Sequence, residues 1–359
     1  ISYYLEQSAE LDKVLNIFIR VNSGGTTLSC SDLLLSFATA QWEKRDAREE
    51  IHGFVDEMNG IGRGFSISKD AVLKACLVLC DIEGISFKVD NFNRTNMLRI
   101  ENEWDDVTKA IRDALTLISS FGFSRENITS NNLIIPIAYY LKTIGLPNGF
   151  EVSTSRIEDR RDIKRGFVSS LLKRVFSFSP DGVLRPVREI IKQHGANGFP
   201  MDRITERFKG TNRTLQFAED DISNLLYAKY GQGDVLVILS ILYPWADLRH
   251  SFHVDHMFPK SEFTAKRLAA KGVPQGKIDN FIEDCNYIGN LQLLESIPNI
   301  EKKAMDFSRW LSEKVPSAGL ADYKRKHYVP DVDLSFSSFD VFLEEREKLL
   351  LARLKAELQ

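Results

Sequence analysis

The chain has 359 residues, of which 43% are hydrophobic and 27% charged, with a net charge of −3. Such a composition suits a globular protein with material for two or three cores. It points away from a globally basic nucleic-acid coat, from a membrane span (the longest apolar run, Val235–Tyr243, is about half of what a bilayer needs) and from a structural zinc site, since the four cysteines include no CxxC pair.

In chain order, the first predicted helix carries Leu11, Val14, Leu15, Phe18 and Ile19 at helical spacing. The turn Arg20-Val21-Asn22-Ser23-Gly24-Gly25 follows, and Ser29 with Asp32 resembles a capping box that opens a helix over Cys30–Lys44. A glycine loop feeding a helix can hold an anion. A plain connector is the preferred reading of this stretch alone. Helices continue through 46–150: Cys76 and Cys80 fall on one buried face, Trp104, Val107, Ile111, Leu115 and Ile118 form a stripe, and Pro136 lies in the apolar segment Leu133–Ile144. Residues 145–162 read as a linker ending in a solvated charge run, Arg156 to Asp162. Helical periodicity resumes over 163–245, with breaks at Ser179-Pro180-Asp181-Gly182 and around Gly195–Pro200. No internal repeat is expected.

From residue 246 the pattern changes. Phe252-His253-Val254-Asp255-His256-Met257-Phe258-Pro259 reads as a strand interrupted by Asp255-His256 and closed by a proline. Short helices are predicted near Ser261–Lys271 and Pro274–Cys285. A second strand, Asn290-Leu291-Gln292-Leu293-Leu294, leads into a helix running through Asn299, Lys302, Lys303, Phe307, Trp310 and Leu311. The tail from about Ser337 reads as an amphipathic helix with Phe342, Leu349, Leu350 and Leu354.

Two strands and a helix bringing Asp, His and Asn together make a ββα-metal nuclease site. Phosphodiester cleavage needs an activated water, a cation and nearby positive charge. Histidine ionises near neutrality, which makes His256 the candidate general base. Adjacent strand residues face opposite sides, so Asp255 and His256 are expected where the strand ends or bulges. Asp255 and Asn299 offer two hard oxygen ligands, which suits Mg²⁺ or Mn²⁺ and not Zn²⁺. Asn290 is expected to brace the hairpin. His253, Lys302 and Lys303 are candidates to support the ligands or to contact phosphate. His52, His194, His250 and His327 have no such company and receive no role.

The run His253 to Ser261 resembles the first strand of HNH endonucleases, close to the Asp-His-Ile-x-Pro-x-Ser form of RNA-guided CRISPR effectors. That resemblance implies Asp255 as metal ligand, His256 as base, Asn290 as brace and Asn299 as second ligand. Asn286-Tyr287-Ile288-Gly289-Asn290-Leu291-Gln292-Leu293-Leu294 is similar to the C-terminal nuclease domain of GmrSD-type, modification-dependent restriction proteins. His327-Tyr328-Val329-Pro330-Asp331 and a late helix with Arg346 fit that domain's end. Phe18 through Asn22, Gly24 and Leu28 look like the close of the ParB/sulfiredoxin-like NTPase domain of the same proteins. The family's Asp-Gly-Gln-Gln-Arg signature is absent and would lie upstream of Ile1, so NTP binding is expected only in a longer parent protein.

The expected fold is mostly α (α+β): a helical N-terminal region, then a ββα-metal domain with helical additions. Its boundaries are drawn at 1–150 (the helical tail of the NTPase domain), 151–245 (a helical middle region) and 246–359 (the HNH domain). The expected function is a divalent-metal-dependent DNA endonuclease restricting phage or modified foreign DNA, cytoplasmic, with DNA as partner and no membrane. Double-strand cutting by a single HNH site would bring in a homo-oligomer or a second visit. The alternative is a DNA- or nucleotide-sensing helical module whose HNH domain no longer cleaves.

Overall fold

Helix dominates the computed structural model, which describes residues 35–36, 40–248 and 252–359 and holds one two-stranded antiparallel sheet among them. The readings of Gly24-Gly25, of the Cys30 helix start and of His250 lie outside the described residues. The described residues fall into two units that divide between Arg213 and Thr214, so the middle helical region drawn over 151–245 is shared between them. No described helix is long and apolar enough to cross a membrane.

The N-terminal unit contains α1 (Ala47–Asn59), α2 (Lys69–Leu79), α3 (Arg94–Asn102), α4 (Trp104–Ser120), α5 (Ile134–Thr143), α6 (Ile157–Leu172), α7 (Asp181–His194) and α8 (Met201–Phe208). Its centre is α5, buried on nearly all sides and packed against α2, α4 and α7. Pro136 sits in the first turn of α5, where a missing N–H costs no helical hydrogen bond. The stripe from Trp104 to Ile118 is buried along α4, and Cys76 and Cys80 are buried and reduced. The helix expected to run to Lys44 is instead a bend over 43–45. The buried Glu101 carboxylate explains it, accepting from the backbone N–H of Glu43, Lys44 and Arg45 at 3.1, 2.6 and 2.9 Å.

Two stretches that share little sequence share a course. The stretch from Ile51 to Val72 and the stretch from Met201 to Ile222 follow the same course of helix, turn, extended run and next helix. Their buried positions correspond one to one, Ile51, Phe54, Met58, Phe65, Ile67 and Val72 against Met201, Ile204, Phe208, Leu215, Phe217 and Ile222. Every one of these six is a different apolar residue in the second copy, which hides the likeness from the sequence.

The C-terminal unit contains α9 (Glu219–Asn224), α10 (Gly233–Leu242), β1 (Phe252–His256), α11 (Ala265–Ala270), α12 (Ile278–Asp284), β2 (Leu291–Glu295), α13 (Ser296–Lys302), α14 (Phe307–Lys314), α15 (Leu320–His327) and α16 (Phe339–Leu358). Its core is aromatic. Phe258 packs its ring against Phe336, Phe339 and Phe342 at centroid distances of 5.3, 5.1 and 4.9 Å. Phe342, Leu350 and Leu354 of α16 are buried as expected, whereas Leu349 is 43% exposed. The helix expected to run unbroken from Asn299 to Leu311 is two helices. Lys303 has a φ of +45°, a conformation that ends α13 and turns the chain so that Phe307 reaches Phe258.

Arg346 of α16 is fully buried. Its Nη1 donates to the carbonyls of Ile288 and Gly289 at 3.2 and 2.6 Å, and its Nη2 to those of Leu291 and His327 at 2.8 and 3.2 Å. Nη2 also lies 3.2 Å from the Tyr243 hydroxyl. Arg346→Met would leave several buried carbonyls unpaired, each worth about 1–3 kcal/mol. The expected result is a loss of about 3 kcal/mol or more, read from urea unfolding of the full chain. Lysine, a point charge without the planar fork, should recover little of it. An unchanged urea midpoint for Arg346→Met would refute this.

His327 is buried among Tyr323, stacked at 4.1 Å, and the edges of Tyr243 and Trp245. Burial first, then the charges of Arg346 and Lys326, push its imidazole from 6.5 down to about 3. The unfolded chain takes up a proton below about 6.5 that the folded chain refuses. Stability from this group is therefore complete above 6.5 and lost as pH falls toward 3, by at most about 1.4 kcal/mol per pH unit. His327→Phe should flatten the fall in stability between pH 6.5 and 5 relative to wild type. Parallel slopes for the two proteins would show that His327 titrates normally.

Candidate active site

Everything at the site depends on how β1 ends. β1 pairs with β2 in regular antiparallel register, Asp255 opposite Gln292 and His256 opposite Leu291, and it stops at His256 because Met257 and Phe258 plunge into the aromatic core. Asn290 closes the join. Its backbone carbonyl accepts from Met257 N–H at 2.8 Å, its Oδ1 from Phe258 N–H at 2.9 Å, and its Nδ2 donates to the carbonyls of Phe258 and Cys285 at 3.0 and 2.9 Å. All its polar atoms are used within the fold, and it is fully buried.

Asp255 and His256 face different neighbours, as strand alternation requires. The Asp255 side meets α13, which packs on both strands. Lys302 lies 2.9 Å from Asp255 Oδ2 and donates to the His256 carbonyl at 2.5 Å. Gln292 Nε2 donates to the same Oδ2 at 3.0 Å, and Gln292 Oε1 accepts from the Tyr323 hydroxyl at 2.9 Å, which in turn accepts from Trp310 Nε1 at 3.3 Å. Both contacts fall on Oδ2, so Oδ1 is the oxygen left for a cation. Asn299 sits half-buried in α13, its amide making no hydrogen bond among the described residues. His253 is exposed, its Nε2 3.1 Å from Ser296 Oγ, and Lys303 is exposed beyond the end of α13.

Of the two roles expected for Lys302, support of a ligand or contact with phosphate, its position fits the first and not the second. Its side chain is wholly buried and committed to Asp255, because α13 ends at that residue and directs it inward. Burial pushes its ammonium down, against the Asp255 charge, which raises it. Of the two lysines, only Lys303 is placed where a ligand could reach it.

On the other side, His256 Nε2 lies 3.2 Å from Asn286 Oδ1, and its ring lies 4.6 Å from that of Tyr230. An amide oxygen can only accept, so this pairing keeps the proton on Nε2 and leaves Nδ1 as the basic nitrogen. Burial pushes the imidazole below its ordinary value, against the Asn286 hydrogen bond and the Asp255 charge. A neutral imidazole at pH 7 can accept a proton.

Sequence reasoning assigned nothing to Gln292, Asn286, Tyr230 or Tyr323. Gln292 carried a usable signal, a lone amide in the apolar run Leu291 to Leu294 that antiparallel pairing sets against the acidic residue of β1. Asn286 lay inside the quoted motif. Tyr230 and Tyr323 are distant in sequence and gave none.

Among the described residues no group of three or more His, Cys, Asp or Glu could hold a metal ion. The donors present, Asp255 Oδ1 and the Asn299 amide, fit a hard cation that keeps most of its waters, as Mg²⁺ and Mn²⁺ do, and do not fit one that needs a protein cage.

Lys302→Met tests the buried ion pair. Removing the ammonium strands a mostly buried carboxylate, and breaking such a pair costs about 3–5 kcal/mol. Urea unfolding should show that loss, while undiminished stability with weakened DNA binding would return Lys302 to a phosphate role. In comparisons with protein-family models and with curated proteins, the chain matches none.

Proposed function

We propose that the C-terminal unit is a divalent-metal-dependent DNA endonuclease of the HNH type, serving in restriction of phage or modified foreign DNA. The observation that carries the reading is an order of elements: β1 ends on Asp255-His256, β2 pairs with it, and α13 follows β2 directly with Asn299 on it. Strand, strand and helix in that order, with an acid, an imidazole and an amide oxygen, are what hydrolysis at a metal-bound phosphodiester requires. The restriction role rests on the resemblance of the 286–294 segment to GmrSD-type proteins.

In this mechanism His256 Nδ1 takes the proton of an attacking water while Asn286 holds the ring through Nε2. Asp255 Oδ1 and Asn299 would hold the cation, Gln292 and Lys302 fixing the carboxylate from its far oxygen. When bound, the cation supplies charge on the scissile phosphate and on the departing oxygen. Lys303 and His253 are exposed and available to the flanking backbone.

One observation favours the second reading, a non-cleaving sensor. The ammonium of Lys302 already matches the Asp255 carboxylate, and a carboxylate so matched has less call for a metal. Plasmid nicking in Mg²⁺ or Mn²⁺ separates the two. Wild type should nick, and His256→Ala should fall at least about 100-fold with its circular dichroism unchanged. Cleavage by that variant at more than a few per cent of wild type removes His256 as base. Asp255→Ala and Asn299→Ala should each weaken Mn²⁺ binding in calorimetry, and unchanged affinity in both would move the ligands elsewhere.

A further inference from the structure

A cluster of three tyrosines, two of them exposed, adjoins His256 through Tyr230 and takes no part in the chemistry assigned above. Tyr230 is 46% exposed although one part of its ring rests on the imidazole. Tyr227 is 67% exposed and meets the Tyr287 ring edge-on at 6.0 Å. Lys229 Nζ lies 4.7 Å from the centre of the Tyr287 ring, and Lys260 Nζ 5.9 Å from that of Tyr230.

The cluster is built on a fixed backbone. Residues 228–230 run antiparallel to 286–288: Tyr230 N–H donates to the Asn286 carbonyl at 2.8 Å and Ile288 N–H to the Ala228 carbonyl at 3.0 Å, with Lys229 paired to Tyr287 between them. The same short ladder therefore carries Asn286, which holds His256, and Tyr230, which covers it. Lys229 also lies 3.6 Å from Glu283, and the Tyr287 hydroxyl donates to Glu283 at 3.4 Å. Those contacts keep the Lys229 and Tyr287 side chains in place.

We propose that Tyr227, Tyr230 and Tyr287, edged by Lys229 and Lys260, form a stacking shelf for nucleobases next to the scissile phosphate, so that a strand is cut where its bases are unpaired, as they are where supercoiling opens a plasmid. The proposal rests on the nuclease reading. Exposed aromatic rings offer faces to any base, and a ring ordered by two torsions loses little entropy when it stacks. Bases inside a duplex are already stacked on one another and cannot reach such a shelf without being opened. The two ammonium groups suit the phosphates on either side, and Tyr230 touches the imidazole proposed to take the proton of the water that attacks the scissile phosphate. A base beside that phosphate is within reach of its ring. A protein partner would gain nothing from this adjacency to the imidazole.

The test measures binding apart from cleavage. Fluorescence anisotropy of the full chain in EDTA compares a labelled single-stranded dT oligonucleotide, the same length of duplex, and the matching RNA. Wild type should bind the single DNA strand more tightly than the duplex or the RNA. Tyr227→Ala and Tyr230→Ala should each weaken single-strand binding roughly 10-fold and leave duplex binding unchanged, since a stacked base is lost with each ring. Tyr227→Phe and Tyr230→Phe should bind as wild type, because the ring and not the hydroxyl does the stacking. Both positions are exposed, and circular dichroism checks that the alanine variants fold. Equal affinity for single strand and duplex, tighter binding of RNA, or alanine variants that bind like wild type would each overturn the shelf. Plasmid nicking keeps the two readings apart: if wild type does not nick in Mg²⁺ or Mn²⁺, the nuclease assignment fails, while the anisotropy decides the shelf by itself.

Discussion

A guanidinium without an acidic partner among the described residues holds the C-terminal unit in register. Arg346 spends its donors on main-chain carbonyls at the turn before β2, on that of His327 and on the Tyr243 hydroxyl. Carbonyl dipoles on several sides replace the solvation that burial removes. The turn is drawn so close to α16 that a Cβ on Gly289 would lie 3.1 Å from Leu343 and from Glu347. With that turn fixed, Asn290 lies against Phe258 and β2 starts in the one register that sets Gln292 across from Asp255. A residue far along the chain thereby aims a carboxylate it never touches.

The same unit deals with its acidic residue unevenly. One carboxylate oxygen of Asp255 is matched by an ammonium and an amide, and the other is left open. On the proposed function this splits the work of one side chain: Oδ2 is held, and Oδ1 faces the cation. It also means that the cation meets a carboxylate whose charge is partly answered. On that reading its hold on the protein alone would be weak and the charge of the arriving phosphate would complete the site, so that metal and DNA would favour each other's binding.

The helices with clean periodicity were legible in the sequence: the Trp104 stripe, the buried Leu133–Ile144 and Val235–Tyr243 segments, and the amphipathic tail. So was the strand broken at Asp255-His256. What failed had tertiary causes. Lys302 and Lys303 are adjacent in sequence and alike in chemistry, yet a left-handed backbone at Lys303 sends one to the interior and the other to solvent. His327 gave no signal because its cage is assembled from Tyr243, Trp245 and Tyr323. The course shared by residues 51–72 and 201–222 leaves no trace in the sequence because its six buried positions keep their apolarity while every residue changes. Burial constrains a position to be apolar more strongly than it constrains which apolar residue stands there.

A chain made from its N-terminus meets the requirements of this fold in a definite order. β1 and β2 are five residues each, too little to persist as a pair in water. Leu291 waits a further 55 residues for the guanidinium that takes its carbonyl. Phe258 likewise waits for Phe339 and Phe342 before its ring is enclosed. Throughout that interval on the ribosome the strands carrying Asp255 and Asn290 have neither their core nor their clamp. Any activity that depends on their geometry is withheld until α16 has been synthesised and has folded back, a safeguard set by the order of the elements.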